Sequence, residues 1–328
     1  MDVLSSVQFD ILISTYNGDK YIKQQLDSLL LQLDYIKKIY IRDDGSTDKT
    51  ISIINEYIIR YPNLFVLVED NKGNLGPRDS FFTLCEYVTS SFIAFCDQDD
   101  VWNPKKLGEF SNYIATKKIN GESEKALIHC DLEVVDAKLQ RISPSFWKLM
   151  GIDHEDTILD VSIRNTVTGC ACVISKALMS EYKGKAYGFK MHDHFYAAHA
   201  AINNSVYRIH LPLIKYRQHS NNCVGAGLNP PNKSLFKKIA TKKITDYPRL
   251  IISRCTYDWD KLCEIINALS CSVENNPALT DLIKLQKVCH RQPLVKMIFL
   301  LWMFLFEKSI TANGFKRLFL KPLKINKK

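Results

Sequence analysis

The first hundred residues alternate between short apolar runs and longer stretches whose apolar residues recur at helical spacing. A short apolar run bounded by turn residues is typical of a buried strand, and an apolar residue at every third or fourth position is typical of an amphipathic helix. The pattern predicts strands at 9–14, 36–41, 64–68 and 92–96, and helices at 19–32, 48–60 and from 77 onward. This order predicts an α/β fold with a right-handed, mostly parallel, Rossmann-like sheet and helices on both faces.

The alternation is less regular after Trp102. The pattern predicts helices at 103–118 and 192–202, and strands at 126–135, 165–175, 205–211 and 213–218, the last two separated by Pro212. The clearest boundary is the segment Asn229–Asn232, where two prolines stand between asparagines. We therefore predict an α/β domain over residues 1–228 and a helical C-terminal region over residues 229–328.

Charge is distributed unevenly between these two parts. The net charge of the chain is +9, but residues 229–328 alone contain 19 Lys and Arg against 7 Asp and Glu. A basic segment of this kind favours an anionic surface as partner. The apolar run Leu294–Phe306 precedes many of the final lysines and is too short to span a bilayer. It predicts an interfacial helix on an anionic membrane, with a core helix that packs on the first domain as the alternative.

Cysteines and the N-terminus bear on the compartment. The ten cysteines show no CxxC spacing, and several fall in apolar stretches, where a free thiol behaves as a small hydrophobe. The first residues lack the basic and apolar regions of an export signal. These features predict a cytoplasmic protein without a disulfide framework. The C-terminal region is the part that would contact the inner face of the membrane.

Polar turns follow three of the predicted strands, at residues 15–18, 43–48 and 97–100. Ligands of open α/β sheets bind outside the carboxyl ends of the strands, so these turns are candidate binding loops. The last turn carries Asp97, Asp99 and Asp100, and carboxylates this close repel one another unless a cation lies among them. Asp-x-Asp can provide oxygen ligands for Mg²⁺ or Mn²⁺. The alternative is a solvated turn that caps the next helix, and Asp100 is the acid that we assign to that structural role.

The three turns resemble those of the family 2 inverting glycosyltransferases of the GT-A fold. The matching segments are residues 14–18 (STYNG), 43–48 (DDGSTD) and 97–102 (DQDDVW), in the same order and each after a strand. Residues 168–170, 191–195 and 216–222 resemble the bacterial rhamnosyltransferase-like branch. The resemblance covers roughly residues 9–225. It implies a nucleotide-diphosphate-sugar donor, dTDP- or UDP-linked, and a glycan or lipid-linked glycan acceptor.

The resemblance also implies residue roles. Asp44 would contact the nucleotide base, with Thr15 and Asn17 in the same pocket, and Arg78 would reach the base or phosphate. Asp97 would face the ribose and the metal, and Asp99 would be the principal metal ligand.

The resemblance gives two further residues roles that have structural alternatives. Asp193 would be the general base, and the alternative is a helix N-cap. His219 would lie near the diphosphate or metal, and the alternative is a polar loop histidine. His192 stands where many members of the family carry an acid, which alters the charge beside Asp193.

These observations together predict an inverting, metal-dependent glycosyltransferase that moves a sugar, with rhamnose as the leading candidate, to a cell-surface polysaccharide or lipid-linked glycan. A nucleotidyltransferase acting on sugar phosphates is the enzymatic alternative, but the chain has no glycine-rich phosphate loop. A protein that binds an anionic surface or nucleic acid is the non-enzymatic alternative. No nucleic-acid partner is expected, because the basic residues do not interleave with aromatic ones in a recognised module.

Overall fold

The computed structural model describes residues 7–152, 156–184, 186, 188–219, 247–270 and 276–291. The chain forms two compact units, one of Met1–Met150 and Val167–Ala226 and the other of Gly151–Thr166 and Gly227–Lys328. The domain boundary that we predict at residue 228 stays a prediction. The structure adds that Gly151–Thr166 groups with the second unit.

The first unit contains a sheet whose strands lie in the order β3-β2-β1-β4-β8-β6-β9-β5, with β7 paired to β6. The strands are β1 Phe9–Thr15, β2 Ile36–Asp43, β3 Phe65–Leu67, β4 Phe92–Asp97, β5 Val101–Trp102, β6 Leu127–Asp136, β7 Arg141–Ser143, β8 Cys172–Ser175 and β9 Val206–Gln218. The first four are parallel, as predicted. Antiparallel pairing of β8, β7 and β5 with their neighbours leaves six of these nine described strands running in one direction.

Helices connect the strands and cover the sheet. Those of the first unit are α1 Ile22–Leu29, α2 Thr50–Arg60, α3 Gly76–Leu84, α4 Lys106–Lys117, α5 Phe146–Met150, α7 Lys176–Met179 and α8 His192–Ile202. The second unit contains α6 Ile158–Arg164, α9 Tyr247–Ser270 and α10 Pro277–Arg291. The α/β class and the helix at 192–202 are confirmed.

The two faces of the central strands bury different side chains, because successive residues of a strand point to opposite faces. On one face, Phe9, Ile11 and Ile13 of β1 join the aliphatic core. On the other face, the Phe95 ring lies 5.5 Å from that of Phe81 in α3 and 5.8 Å from that of Tyr196 in α8. Asp97 follows Phe95 by two residues, so the strand directs it to the side of the sheet that α3 and α8 cover.

Three predicted strands differ from the structure. The segment 165–175 forms a strand only at Cys172–Ser175, and Gly169–Ala171 is a 3₁₀ turn. The two strands predicted around Pro212 form one continuous strand, β9. Pro212 pairs with Asp131 where the register between β6 and β9 shifts. A bulge accommodates proline because the missing N–H is not needed there.

The second unit has its own helical packing. Helices α9 and α10 lie against each other, with the ring of Trp259 6.1 Å from that of His290. Among the described residues, no helix combines the length and apolar character needed to cross a bilayer. The apolar segment Leu294–Phe306, the lysines after it and the Asn229–Asn232 boundary lie outside the described residues.

Candidate active site

The three polar turns lie at one edge of the sheet, as the sequence predicts. Strand β1 pairs in parallel with β2 on one side and with β4 on the other, so their carboxyl ends are aligned. Thr15 is in register with Asp43, and Ser14 is in register with Asp97. The register of three strands therefore brings residues 15–18, 43–48 and 97–100 together.

Thr15 and Asn17 join the first turn to the second. The Thr15 hydroxyl donates to Asp43 Oδ1 at 2.8 Å. The Asn17 backbone N–H donates to Ser46 Oγ at 2.8 Å, and its side-chain Oδ1 accepts from the Thr47 N–H at 2.9 Å. Asn17 has a φ of 48°, in the left-handed region that asparagine tolerates better than most residues. Thr15 and Asn17 therefore hold the first two turns together, and their predicted contact with a nucleotide stays a prediction.

Gln98 joins the first turn to the third. Its Oε1 accepts from the Tyr16 N–H at 2.9 Å, and its Nε2 donates to the Tyr16 carbonyl at 3.0 Å. A Cβ at Gly18 would lie 2.2 Å from Gln98 Oε1. Gly18 therefore leaves room for the Gln98 amide between the two loops. The sequence alone does not single out Gln98, because nothing in the pattern gives a role to the residue between Asp97 and Asp99.

Asp44 lies at the centre of a buried network. Its Oδ1 accepts from the Arg42 guanidinium and from the Leu75 N–H, and its Oδ2 accepts from the Gly76 N–H at 2.7 Å. Burial raises the pKa of the Asp44 carboxyl, but these hydrogen bonds outweigh burial and hold the pKa below its usual value. Asp44 is therefore a fixed carboxylate that orders the start of α3. Its predicted contact with a nucleotide base stays a prediction.

Arg78 is half-exposed in the first turn of α3. Its guanidinium pairs with Asp79, with Nε 2.8 Å from Oδ1 and Nη2 3.0 Å from Oδ2. Its Nη1 donates to the Phe189 carbonyl at 3.0 Å. Arg78 thus connects α3 to the segment that leads into α8, and a role toward a phosphate stays a prediction.

The acidic turn after β4 separates into two groups. Asp97, Asp100 and Cys170 each place a ligand atom within 4.8 Å of the other two. Asp99 instead contacts His219, whose Nε2 lies 2.8 Å from Asp99 Oδ2. The structure therefore brings together two of the predicted metal residues, Asp99 and His219, as a direct pair. Cys170 is an addition, because residues 168–170 are among the segments that carry the resemblance but the sequence assigns them no metal-ligand role.

Electrostatics distinguish this turn from an ordinary helix cap. Burial and the negative charges of Asp99 and Asp193 raise the pKa of Asp97 to about 7. Burial and the charges of Asp99 and Asp97 likewise raise the pKa of Asp100 well above its usual value. Asp100 Oδ1 accepts from the distant Arg217 N–H at 2.9 Å, so Asp100 connects the turn to β9.

The donor set suits a hard divalent cation. Carboxylate oxygens are the ligands that Mg²⁺ and Mn²⁺ prefer, and an imidazole nitrogen is compatible with Mn²⁺. Burial, together with the negative charges of Asp99 and Asp193, raises the pKa of Asp97, and a cation among these acids would offset those charges. Asp99 and His219 therefore fit a divalent metal by chemistry and by direct contact, whereas the ligand role of Asp97, which groups with Asp100 and Cys170, stays a prediction.

Asp193 lies in the first turn of α8 and is buried. The N-cap of this helix is Met191, and the Asp193 Oδ1 accepts from the next N–H, of His194, at 2.5 Å. Its Oδ2 lies 3.4 Å from the position that a Cβ would take on Gly169. The negative charge of Asp193 also contributes to the raised pKa of Asp97. The carboxylate is therefore close to the acidic turn and is not the helix cap.

His192, which precedes Asp193, is buried among aromatic rings. Its ring is 1% exposed and packs between Phe81 and Phe95, with centroids 4.1 and 4.6 Å away. Neither ring nitrogen has a hydrogen-bond partner among the described residues. Burial lowers the pKa of His192 to about 3, so the side chain is neutral. The charge beside Asp193 therefore differs from that of an acidic neighbour.

Comparisons with known proteins identify the family of the chain. A model of the Glycosyl transferase family 2 matches residues 10–178. The dTDP-rhamnosyl transferase RfbG of Shigella flexneri is 28% identical over 270 residues, which are 79% of this chain and 84% of that protein. The uncharacterized glycosyltransferase MG025 of Mycoplasma genitalium is 30% identical over 157 residues, which are 47% of this chain and 50% of that protein.

Among solved structures, S. aureus TarS residues 1–349 in complex with UDP-GlcNAc superposes with a TM-score of 0.53. The match covers 88% of this chain and 92% of that one at 16% identity, and it shows a shared fold. The chain belongs to the Glycosyl transferase family 2 and has the GT-A fold. It is a glycosyltransferase.

The neutral state of His192 predicts a pH-dependent stability. The pKa of an unfolded histidine is about 6.5, so between that value and about 3 the unfolded chain binds a proton that the folded chain excludes. The His192 contribution therefore destabilises the fold progressively as the pH falls below about 6.5. Relative to His192→Phe, wild type should lose up to about 1.4 kcal/mol of unfolding free energy per pH unit.

Urea unfolding of the two proteins between pH 7 and pH 4.5 measures this difference. Phe keeps the ring contacts with Phe81 and Phe95, and other titrating groups are common to both proteins. A free-energy difference that stays constant over this range would contradict the neutral, buried assignment.

Proposed function

We propose that this enzyme is an inverting, metal-dependent glycosyltransferase that moves rhamnose from dTDP-rhamnose to a hydroxyl of a growing cell-surface polysaccharide or lipid-linked glycan. The observation that carries the proposal is that Asp193 lies beside the acidic turn: its Oδ2 is 3.4 Å from the Cβ position of Gly169, next to Cys170, whose ligand atom lies within 4.8 Å of those of Asp97 and Asp100. The candidate cation-binding turn and the candidate base therefore lie next to each other. The RfbG relative supports dTDP-rhamnose as the donor.

The donor would lie along the aligned strand ends of the domain proposed over residues 1–228. Thr15, Asn17 and Asp44 would surround the nucleoside, and Arg78 would approach the phosphates. Asp97 would face the ribose and the metal side. The buried network of Asp44 supports this arrangement, because it fixes the loops before the ligand arrives and so reduces the entropy lost on binding.

Asp99 and His219 would hold Mg²⁺ or Mn²⁺, with Asp97 beside them. The metal would stabilise the negative charge of the departing nucleotide diphosphate as a Lewis acid. Asp193 would accept the proton of the attacking hydroxyl at a carboxylate oxygen. A single displacement with one base inverts the configuration of the transferred sugar.

Asp99→Ala tests the metal assignment. We expect loss of the Mn²⁺- or Mg²⁺-dependent release of dTDP from dTDP-rhamnose, because the variant lacks the carboxylate that contacts His219. The unfolding temperature should change little. Asp34→Ala, at an exposed position in the turn after α1, is the matched control and should keep wild-type turnover. Full metal-dependent turnover by Asp99→Ala would refute the assignment.

Asp193→Asn tests the base. The amide keeps the size of the side chain but cannot take up a proton, so transfer should fall by about a hundredfold or more while donor affinity is preserved. Equilibrium binding of dTDP-rhamnose and single-turnover kinetics separate these two quantities. Weakened donor binding with unchanged turnover would show that Asp193 is a binding residue instead.

The C-terminal region proposed over residues 229–328 would place the enzyme on the inner face of a membrane. Its basic charge supports attraction to anionic lipids. We expect the full chain to bind vesicles containing anionic lipid in a salt-sensitive way and to bind neutral vesicles weakly. Deletion of residues 292–328 should abolish binding in a co-sedimentation assay. Undiminished binding by the truncated protein, or no binding by the full chain at low salt, would contradict this role.

A further inference from the structure

Arg217, near the end of β9, is 2% exposed and has no role in the reaction described above. Its guanidinium donates in three directions. Nε donates to the Asp99 carbonyl at 2.6 Å, Nη1 to the Ala137 carbonyl at 2.8 Å, and Nη2 to Gln24 Oε1 at 2.7 Å. The side chain thus joins the acidic turn to α1 and to the turn between β6 and β7.

The backbone of Arg217 contacts the same turn. Its N–H donates to Asp100 Oδ1 at 2.9 Å, next to the Asp99 carbonyl that the side chain contacts. One residue of β9 therefore holds two consecutive residues of the acidic turn. Such a connection restricts the turn to one conformation, because a shift of the turn would break both hydrogen bonds.

Tyr21 extends this arrangement to His219. The guanidinium carbon of Arg217 lies 4.6 Å from the centre of the Tyr21 ring. The His219 imidazole stacks on the same ring, with centroids 4.7 Å apart and planes inclined by 27°. His219 Nε2 in turn lies 2.8 Å from Asp99 Oδ2. Arg217 thus acts on Asp99 through its carbonyl and on His219 through Tyr21.

We propose that Arg217 is a positioning residue that sets the affinity of the site for its divalent cation by fixing Asp99 and His219 relative to each other, with Tyr21 as the intermediate contact. This inference rests on the proposed function, because it takes Asp99 and His219 as the metal-binding pair. Residues behind metal ligands commonly change metal affinity because they orient the donor atoms.

Lysine cannot replace this arginine. Its single ammonium group lacks the planar fork that reaches three acceptors, and it stacks less well on an aromatic ring. Arg217→Lys therefore keeps the charge and changes only the positioning. Arg141→Lys is the matched control, since Arg141 lies on β7 and its side chain is 66% exposed.

The experiment measures binding of Mn²⁺ alone to the full-length protein by the electron paramagnetic resonance signal of free Mn²⁺. We expect Arg217→Lys to weaken the Kd by about tenfold or more, while Arg141→Lys matches wild type. Circular dichroism at the same temperature verifies that each protein is folded. A folded Arg217→Lys protein with the wild-type Kd would overturn the proposal, because a purely structural arginine would lower only the unfolding temperature.

Two variants of Tyr21 provide an independent test should Arg217→Lys fail to fold. Tyr21→Phe keeps the ring on which Arg217 and His219 stack and should retain the wild-type Kd for Mn²⁺. Tyr21→Leu removes the ring and should weaken binding. Equal affinities in the two variants would overturn the proposal. Absence of Mn²⁺ binding by wild type would instead refute the metal assignment of the proposed function, and this inference with it.

Discussion

Mutual repulsion among carboxylates is the constraint on which the rest of the site depends. Asp97, Asp99, Asp100 and Asp193 are close enough that burial and their charges raise the pKa values of Asp97 and Asp100. The fold counters this repulsion with nearby cations. The buried Lys106 lowers the pKa of Asp97, and its Nζ donates to the Cys170 carbonyl at 2.8 Å. Arg217 donates to the acidic turn itself. The remaining imbalance is what a divalent cation would neutralise.

Hydrogen bonds between the loops hold these carboxylates close together. Gln98 connects the acidic turn to Tyr16, and Asn17 connects that loop to Ser46 and Thr47. The loops therefore support one another, although each is short. The ring contacts of Phe95 with Phe81 and Tyr196 fix α3 and α8 on the sheet. These contacts hold the loops and helices around the acidic turn in place.

The sequence predicts the scaffold well because its information is local. Apolar periodicity identifies β1 to β4 and the helix at 192–202, and parallel pairing implies that the turns share one edge. The contacts that hold the site together were not predictable from local sequence. Arg217 contacts Asp99 across 118 positions, and Cys170 approaches Asp97 from another element. Pro212 also misled the prediction, because a register shift lets β9 continue through it. Tertiary contacts, not local propensity, decide these features.

We propose that a divalent cation completes the site and thereby creates the binding position of a nucleotide-diphosphate-sugar. Thermal unfolding with dTDP-rhamnose, measured with Mn²⁺, with Mg²⁺ and with a chelator, tests it directly, because a ligand that binds only the native state raises its stability. We expect dTDP-rhamnose to raise the unfolding temperature only when a metal is present. Equal stabilisation in the presence of the chelator, or no stabilisation under any of these conditions, would contradict it.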